Sequence, residues 1–201
     1  MYQNSPTPEE IEAQKVAEQE QVEAEKKESK QNEAVVTTAE DYSNTKVLDS
    51  AQQVALQNKV GSFAYALGLS GEDQTTVTTD VFELKFNRMG GHLAQVKLRN
   101  FVDYDSVPIY LVKDQNSAFN ITFGTSDNRT LNTQDFPFQP SVSKSGENTV
   151  VSMKLKVSES EFLEYRYELK PNDYMIDFSV KSQGLTGVFN TSQPITLDWK
   201  Q

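Results

Sequence analysis

The chain has 201 residues and no cysteine, and 29 acidic against 19 basic side chains leave it at −10 near neutral pH, with a pI near 4.7. Without clustered Lys and Arg it lacks the means to neutralise phosphates, which excludes nucleic acid as its main partner and weakens adsorption to anionic lipid. Without cysteine, disulfides, thiolate catalysis and sulfur-ligated zinc are excluded too.

The apolar residues are unevenly spread. Residues 1–46 hold 11 acidic and 5 basic side chains and only two aromatics, Tyr2 and Tyr42. Residues 47–201 hold the other 18 aromatics and carry −4. Only the second part can build a core. Residues 1–46 are therefore expected to be a charged linker, helical or disordered. Thr7 is placed to cap a helix whose first position is Pro8. Ile11, Val16 and Val22 are too sparse to make coiled-coil heptads. The N-terminus shows no basic stretch followed by an apolar one, and no apolar run approaches the length that spans a bilayer.

Residues 47–73 are expected to be a helix leading into the domain. Leu48, Val54, Ala55, Phe63 and Leu67 supply part of an apolar face, Gly61 loosens it, and Gly68 to Asp73 end it. The remainder, 74–201, reads as strand. Phe82, Leu84 and Phe86 point one way and Glu83 and Lys85 the other. After a turn at Gly90-Gly91 the alternation resumes with Ala94, Val96 and Leu98. The paired glycines supply the positive φ angles of a short hairpin.

Further alternation follows at Val107, Ile109 and Leu111, then at Phe119, Ile121 and Phe123. Residues 124–149 are rich in Ser, Thr and Asn, with Phe136 to Pro140 as an irregular apolar insert. Val151, Met153, Leu155 and Val157 share a face, as do Leu163, Tyr165, Tyr167 and Leu169. Pro171-Asn172-Asp173 turns the chain towards Tyr174, Ile176, Phe178 and Val180, and a last strand carries Ile195, Leu197 and Trp199. Consecutive strands with short polar turns predict an all-β antiparallel sandwich preceded by a helix. A sandwich ending on the uncovered strand at Trp199 is expected to be incomplete at its C-terminal side.

Two stretches carry a family resemblance. Thr79-Asp80-Val81 through Gly90-Gly91 to Leu98 resembles the first hairpin of the large periplasmic domain of the bacterial membrane protein insertase family YidC. Glu161 to Tyr174, EFLEYRYELKPNDY, resembles that family's later strand, turn and strand, and the charged start resembles the spacer of Bacteroidetes-type members. The resemblance covers residues 75–199. It implies an antiparallel β-supersandwich, similar to galactose mutarotase, on the periplasmic face of the inner membrane. It further implies an accessory part in membrane-protein insertion, with Sec translocon components and client membrane proteins as partners. The transmembrane bundle that carries the family's activity has no counterpart here, so no insertase residue is carried over.

Candidate chemistry is thin. No catalytic, cofactor-binding or metal residue is assigned, and no enzyme activity is expected. His92, the only histidine, reads as a solvated turn residue rather than an acid–base group. Gly90-Gly91 lacks the spacing and the following helix of a phosphate loop. Asp103, Asp105, Asp127 and Asn128 read as turn formers rather than calcium ligands. The triplets at Asn120, Asn128 and Asn190 match a glycosylation acceptor by chance. Tyr165, Tyr167, Tyr174, Phe178 and Trp199 read as core, the alternative being the floor of a sugar cleft. A carbohydrate-binding module is the second reading. A sugar epimerase is the third, and it would need a histidine–carboxylate pair.

Overall fold

The computed structural model describes residues 50–200. The spacer expected at 1–46, and the start of the helix expected at 47–73, lie outside them. Helix α1 (Ser50–Val60) runs through a 3-10 turn at Gly61–Phe63 into the short helix α2 (Ala64–Gly68). Gly61, at φ +61°, breaks the helix where expected. Only part of the expected apolar face forms: Phe63 is buried and Leu67 is partly buried against the core, but Val54 is 57% exposed and Ala55 is exposed, while Val60 and Ala66 are buried. Once the break re-aims the chain, positions on either side of it no longer share a stripe.

Eleven strands follow: β1 (Gln74–Thr78), β2 (Phe82–Asn87), β3 (Leu93–Val102), β4 (Pro108–Val112), β5 (Ala118–Gly124), β6 (Thr130–Asn132), β7 (Gln139–Ser145), β8 (Asn148–Lys156), β9 (Phe162–Leu169), β10 (Ile176–Gln183) and β11 (Thr196–Lys200). They form three antiparallel sheets, ordered β1-β2-β3-β4, β10-β9-β8-β7 and β11-β5-β6. The antiparallel β-sandwich expected from the alternation is what folds. Consecutive strands pair within the first two sheets, as short polar turns dictate. In the third, β11 returns to pair with β5 rather than with β10.

The hairpin β2–β3 forms as read, with Phe82 opposite Leu98 and Leu84 opposite Val96. Phe82, Leu84 and Phe86 are buried. Gly90 and Gly91 take φ of +79° and +64°. One face of the second sheet packs against both others. Phe86 meets Tyr167 at 4.9 Å between ring centroids, and Phe119 meets Tyr165 at 5.2 Å. Burying such rings is the main force holding the sheets together, about 1.5–3 kcal/mol for each large side chain.

The irregular segment before β7 belongs to this core as well. Phe136 and Phe138 are buried, and Phe138 donates its amide to the Arg88 carbonyl at 2.8 Å. Phe63 wedges against Phe136 and Phe123, which ties the helical entry to the third sheet.

Three strand readings need correction. β7 lies where no strand was expected, carrying Pro140 on the outer strand of its sheet, the position that tolerates a missing amide. In β4 the buried residue is Val112, while Leu111 and, just before the strand, Val107 are exposed; the β3–β4 register shifts on both sides of Lys97. The inward faces of β10 and β11 are only partly covered: Val180, Leu197 and Trp199 are exposed, as are Tyr174 and Ile195 just before these strands.

Candidate binding face

The exposed apolar residues of β10 and β11 are not stray surface residues. Leu197 and Trp199 lie opposite Ile121 and Phe119, and Phe178 and Val180 lie opposite Tyr167 and Tyr165. Directly opposed residues point to the same side of a sheet. The exposed set is therefore the outer margin of the core face, lacking a cover among the described residues. Strands β4, β10 and β11 are all terminal in their sheets, so unpaired backbone groups flank the same region.

Between these strands lies an open groove of about 210 Å³. Its floor is Phe82, Phe119 and Tyr167, and its rim is Leu111, Tyr174 and Trp199. The aromatics are mutually fixed. Tyr174 packs edge-on against Phe82 at 5.7 Å and Phe101 at 5.8 Å, and Trp199 packs against Phe119 at 5.8 Å. The five aromatics named from the sequence thus divide. Tyr165 and Tyr167 are core, as expected, with Tyr167 also flooring the groove, whereas Tyr174, Phe178 and Trp199 line its more open part. Burial raises the pKa of both core phenols, which stay protonated. Tyr167 donates its hydroxyl to the Gly91 carbonyl at 3.1 Å.

His92 is not a solvated turn residue. It lines the groove wall, half-buried, and its Nδ1 has no hydrogen-bond partner among the described residues. Burial lowers its pKa below the ordinary 6.5, so the ring is neutral near pH 7. The unfolded chain then binds this proton more readily than the native one. Stability is lost as pH falls through 6.5, and the loss is complete below the native value. Urea unfolding of the native chain and of His92→Gln, from about pH 7 to about pH 5, should show the steeper loss in the native chain. Equal slopes would mean that His92 is hydrated after all. The other groove-lining residues are apolar or aromatic apart from Ser117, and none carries a carboxylate.

The remaining candidates behave as turn and strand residues. Asp103 accepts the amides of Asp105 and Val107, both at 2.9 Å. Asn128 sits at φ +60° in the β5–β6 turn, and Asp127 pairs with Arg129. Asn120 bonds inward to Thr122 and Asn132, and Asn190 closes a local turn with Ser192. Among the described residues no group of three or more His, Asp or Glu is placed to hold a metal ion.

These features define a β-sandwich domain whose distinctive surface is an apolar face edged by strands that are terminal in their sheets. The chain belongs to the YidC periplasmic domain family, whose model matches residues 74–200. It is 35% identical to the membrane protein insertase YidC of Parabacteroides distasonis and 34% identical to that of Porphyromonas gingivalis, each over 98% of this chain. The match to the Phocaeicola vulgatus protein of the same description is 25% over 75% of the chain. The chain spans 31% and 30% of the length of the first two relatives. No solved structure matches it.

Proposed function

We propose that this chain is the periplasmic accessory domain of a YidC-type membrane protein insertase, anchored in the inner membrane through segments outside this sequence. It supports insertion and folding of membrane proteins through protein contacts, with the Sec translocon and client segments as its partners. The observation that carries this reading is the relatedness over nearly the whole chain to proteins described as membrane protein insertases. The acidic balance suits a protein partner better than lipid or nucleic acid. A carbohydrate site would need several polar groups beside its stacking rings, and the groove offers few.

Deleting residues 74–200 from the intact insertase, in the organism's own membrane, tests the reading. Insertion should continue with a subset of clients depleted, and in the intact insertase probes on the domain surface should cross-link to translocon or client chains. Unchanged client levels and no such cross-links would overturn it.

The same reading includes completion of the sandwich, with further strands of the longer polypeptide covering β10 and β11. The one tryptophan of this chain, Trp199, reports on this directly. Its emission should lie to the red in the 201-residue chain, where the side chain is 56% exposed. It should move to the blue in the full periplasmic region. A red-shifted, quencher-accessible Trp199 in the longer protein would show that the sandwich does not close there.

A further inference from the structure

The β3–β4 hairpin reaches past the rest of its sheet. Strand β2 begins at Phe82, opposite Leu98, so from Asn100 onward β3 has no strand but β4 beside it. Every residue from 99 to 108 is exposed. The base of this two-stranded ribbon is fixed to the β1–β2 turn. Arg99 donates to the Thr79 carbonyl at 2.7 Å, and Asn100 to the Asp80 carbonyl at 3.3 Å. The tip is closed by Asp103, whose carboxylate takes the Asp105 and Val107 amides. Its own amide donates to the Val107 carbonyl at 2.9 Å, and its carbonyl receives the Ser106 amide at 3.1 Å. A lone hairpin is marginal in water, and these bonds hold this one in a single shape.

Large apolar side chains crowd the ribbon. Phe101, Val102 and Val107 are exposed, and Tyr104 at the tip is 95% exposed. Tyr174 and Met175, before β10, continue the patch through the contact of Phe101 with Tyr174. Contiguous apolar surface left to water marks a binding surface, and a pre-ordered one loses little entropy when covered. Charge narrows what can cover it. Asp103 and Asp105 flank Tyr104 in the chain, and Asp173 precedes Tyr174. None of the three makes an ion pair among the described residues. Of the neighbouring cations, Lys170 is held by Asp177 at 2.8 Å and Arg99 is turned to Thr79. The patch thus combines apolar side chains with unpaired carboxylates.

We propose that the tip of the β3–β4 ribbon, with Tyr104 as its anchor, docks a polypeptide segment in which Lys or Arg stand beside aliphatic or aromatic residues. Such a segment covers the rings and neutralises the carboxylates together. A second copy of this chain would bring its own carboxylates to the contact, and an anionic lipid surface would repel them. The tip is distinct from the face at β10 and β11. Strands added there lie beside the sheets, whereas the ribbon projects along the strand direction past the β1–β2 turn. The proposal names a contact surface for the insertase reading and rests on it for a partner chain at the membrane.

Labelled peptides that alternate Leu with Lys, with Gln or with Glu, titrated with the 201-residue chain, test the chemistry by fluorescence anisotropy. The Lys peptide should bind tightest and the Glu peptide least. Tyr104→Ser should weaken the Lys peptide about tenfold, as loss of an aromatic anchor does. Asp105→Asn should weaken it about threefold, and less at about 0.5 M salt. Glu147→Gln, which removes an exposed carboxylate from the β7–β8 turn, should change nothing. Equal losses at Asp105 and Glu147, or none at Tyr104, would reduce the binding to general attraction by an acidic chain and overturn the proposal. In the intact insertase and its own membrane, benzoylphenylalanine in place of Tyr104 should cross-link to a separate protein chain. Cross-links to lipid alone, or within the insertase alone, would overturn it, with the bilayer or the completed sandwich as the cover. If deleting 74–200 depletes clients while these tests fail at Tyr104, the docking surface falls and the insertase reading stands. If the deletion depletes none while the Lys peptide still requires Tyr104, the surface stands and that reading falls.

Discussion

Tyr165→Ala should cost about 3–5 kcal/mol, the range for truncating a large buried aromatic, and lower the urea midpoint by about 2 M. The ring is fully buried at the junction of the second and third sheets. It contacts Phe138 at 4.7 Å, Phe119 at 5.2 Å and Phe178 at 5.9 Å. The cavity left behind cannot close easily, because Phe119 and Phe178 are each held in a strand ladder. A domain of this size has a total stability of about 5–15 kcal/mol, so one substitution removes about a fifth of it or more.

Two companions separate packing from chemistry. Tyr165→Phe should change stability by less than about 1 kcal/mol. Its hydroxyl makes no bond of proper geometry, and the neighbouring Thr133 hydroxyl is already engaged by the Ile121 amide at 2.8 Å and by Asn120. Trp199→Ala, in the 201-residue chain, should likewise cost less than about 1 kcal/mol, since a half-exposed ring loses little transfer energy. A large loss at Trp199 would mean that the apolar face is covered in this chain.

That contrast also marks what alternation in a sequence can reveal. A period of two identifies residues that share a face, and it did so correctly for β2, β5, β8 and β9. It carries no information on whether anything lies over that face. Tyr174, Phe178 and Trp199 therefore look like Tyr165 and Tyr167 in the sequence and differ from them in space. In β4 even the face was misread, because a register shift is a property of the pairing with β3 and leaves no mark in Val107 to Val112. Phe136 and Phe138 lie outside any period, and their burial comes from the turn at Arg88 and Gly90, which receives them through backbone bonds. His92 follows two glycines and so looked solvated, yet the groove wall holds it. The Arg129 bond to the Asn58 carbonyl joins residues 71 apart, beyond the reach of any local pattern.

Gly91→Ala should cost about 2–5 kcal/mol, of which only a part is backbone strain. Gly91 sits at φ +64°, where a Cβ costs roughly 1–2 kcal/mol in any protein. Here that Cβ would also lie 2.6 Å from both Cγ and Cδ1 of Phe138. The Phe138 ring is fully buried and its amide is bonded to Arg88, so it cannot retreat without moving the hairpin. Such overpacking adds about 1–3 kcal/mol. Gly146→Ala isolates the difference. Its φ is +62°, but a Cβ there meets nothing within 4 Å, so only the backbone cost of about 1–2 kcal/mol should appear in urea unfolding. Equal losses at the two glycines would show that Phe138 does yield. If the losses differ as expected, the second glycine of the hairpin motif is required by the phenylalanine beneath it as well as by the turn. A variant that survives the change should then show its strain at the neighbours: a weakened Tyr167 bond to the residue 91 carbonyl and a displaced His92 at the groove wall.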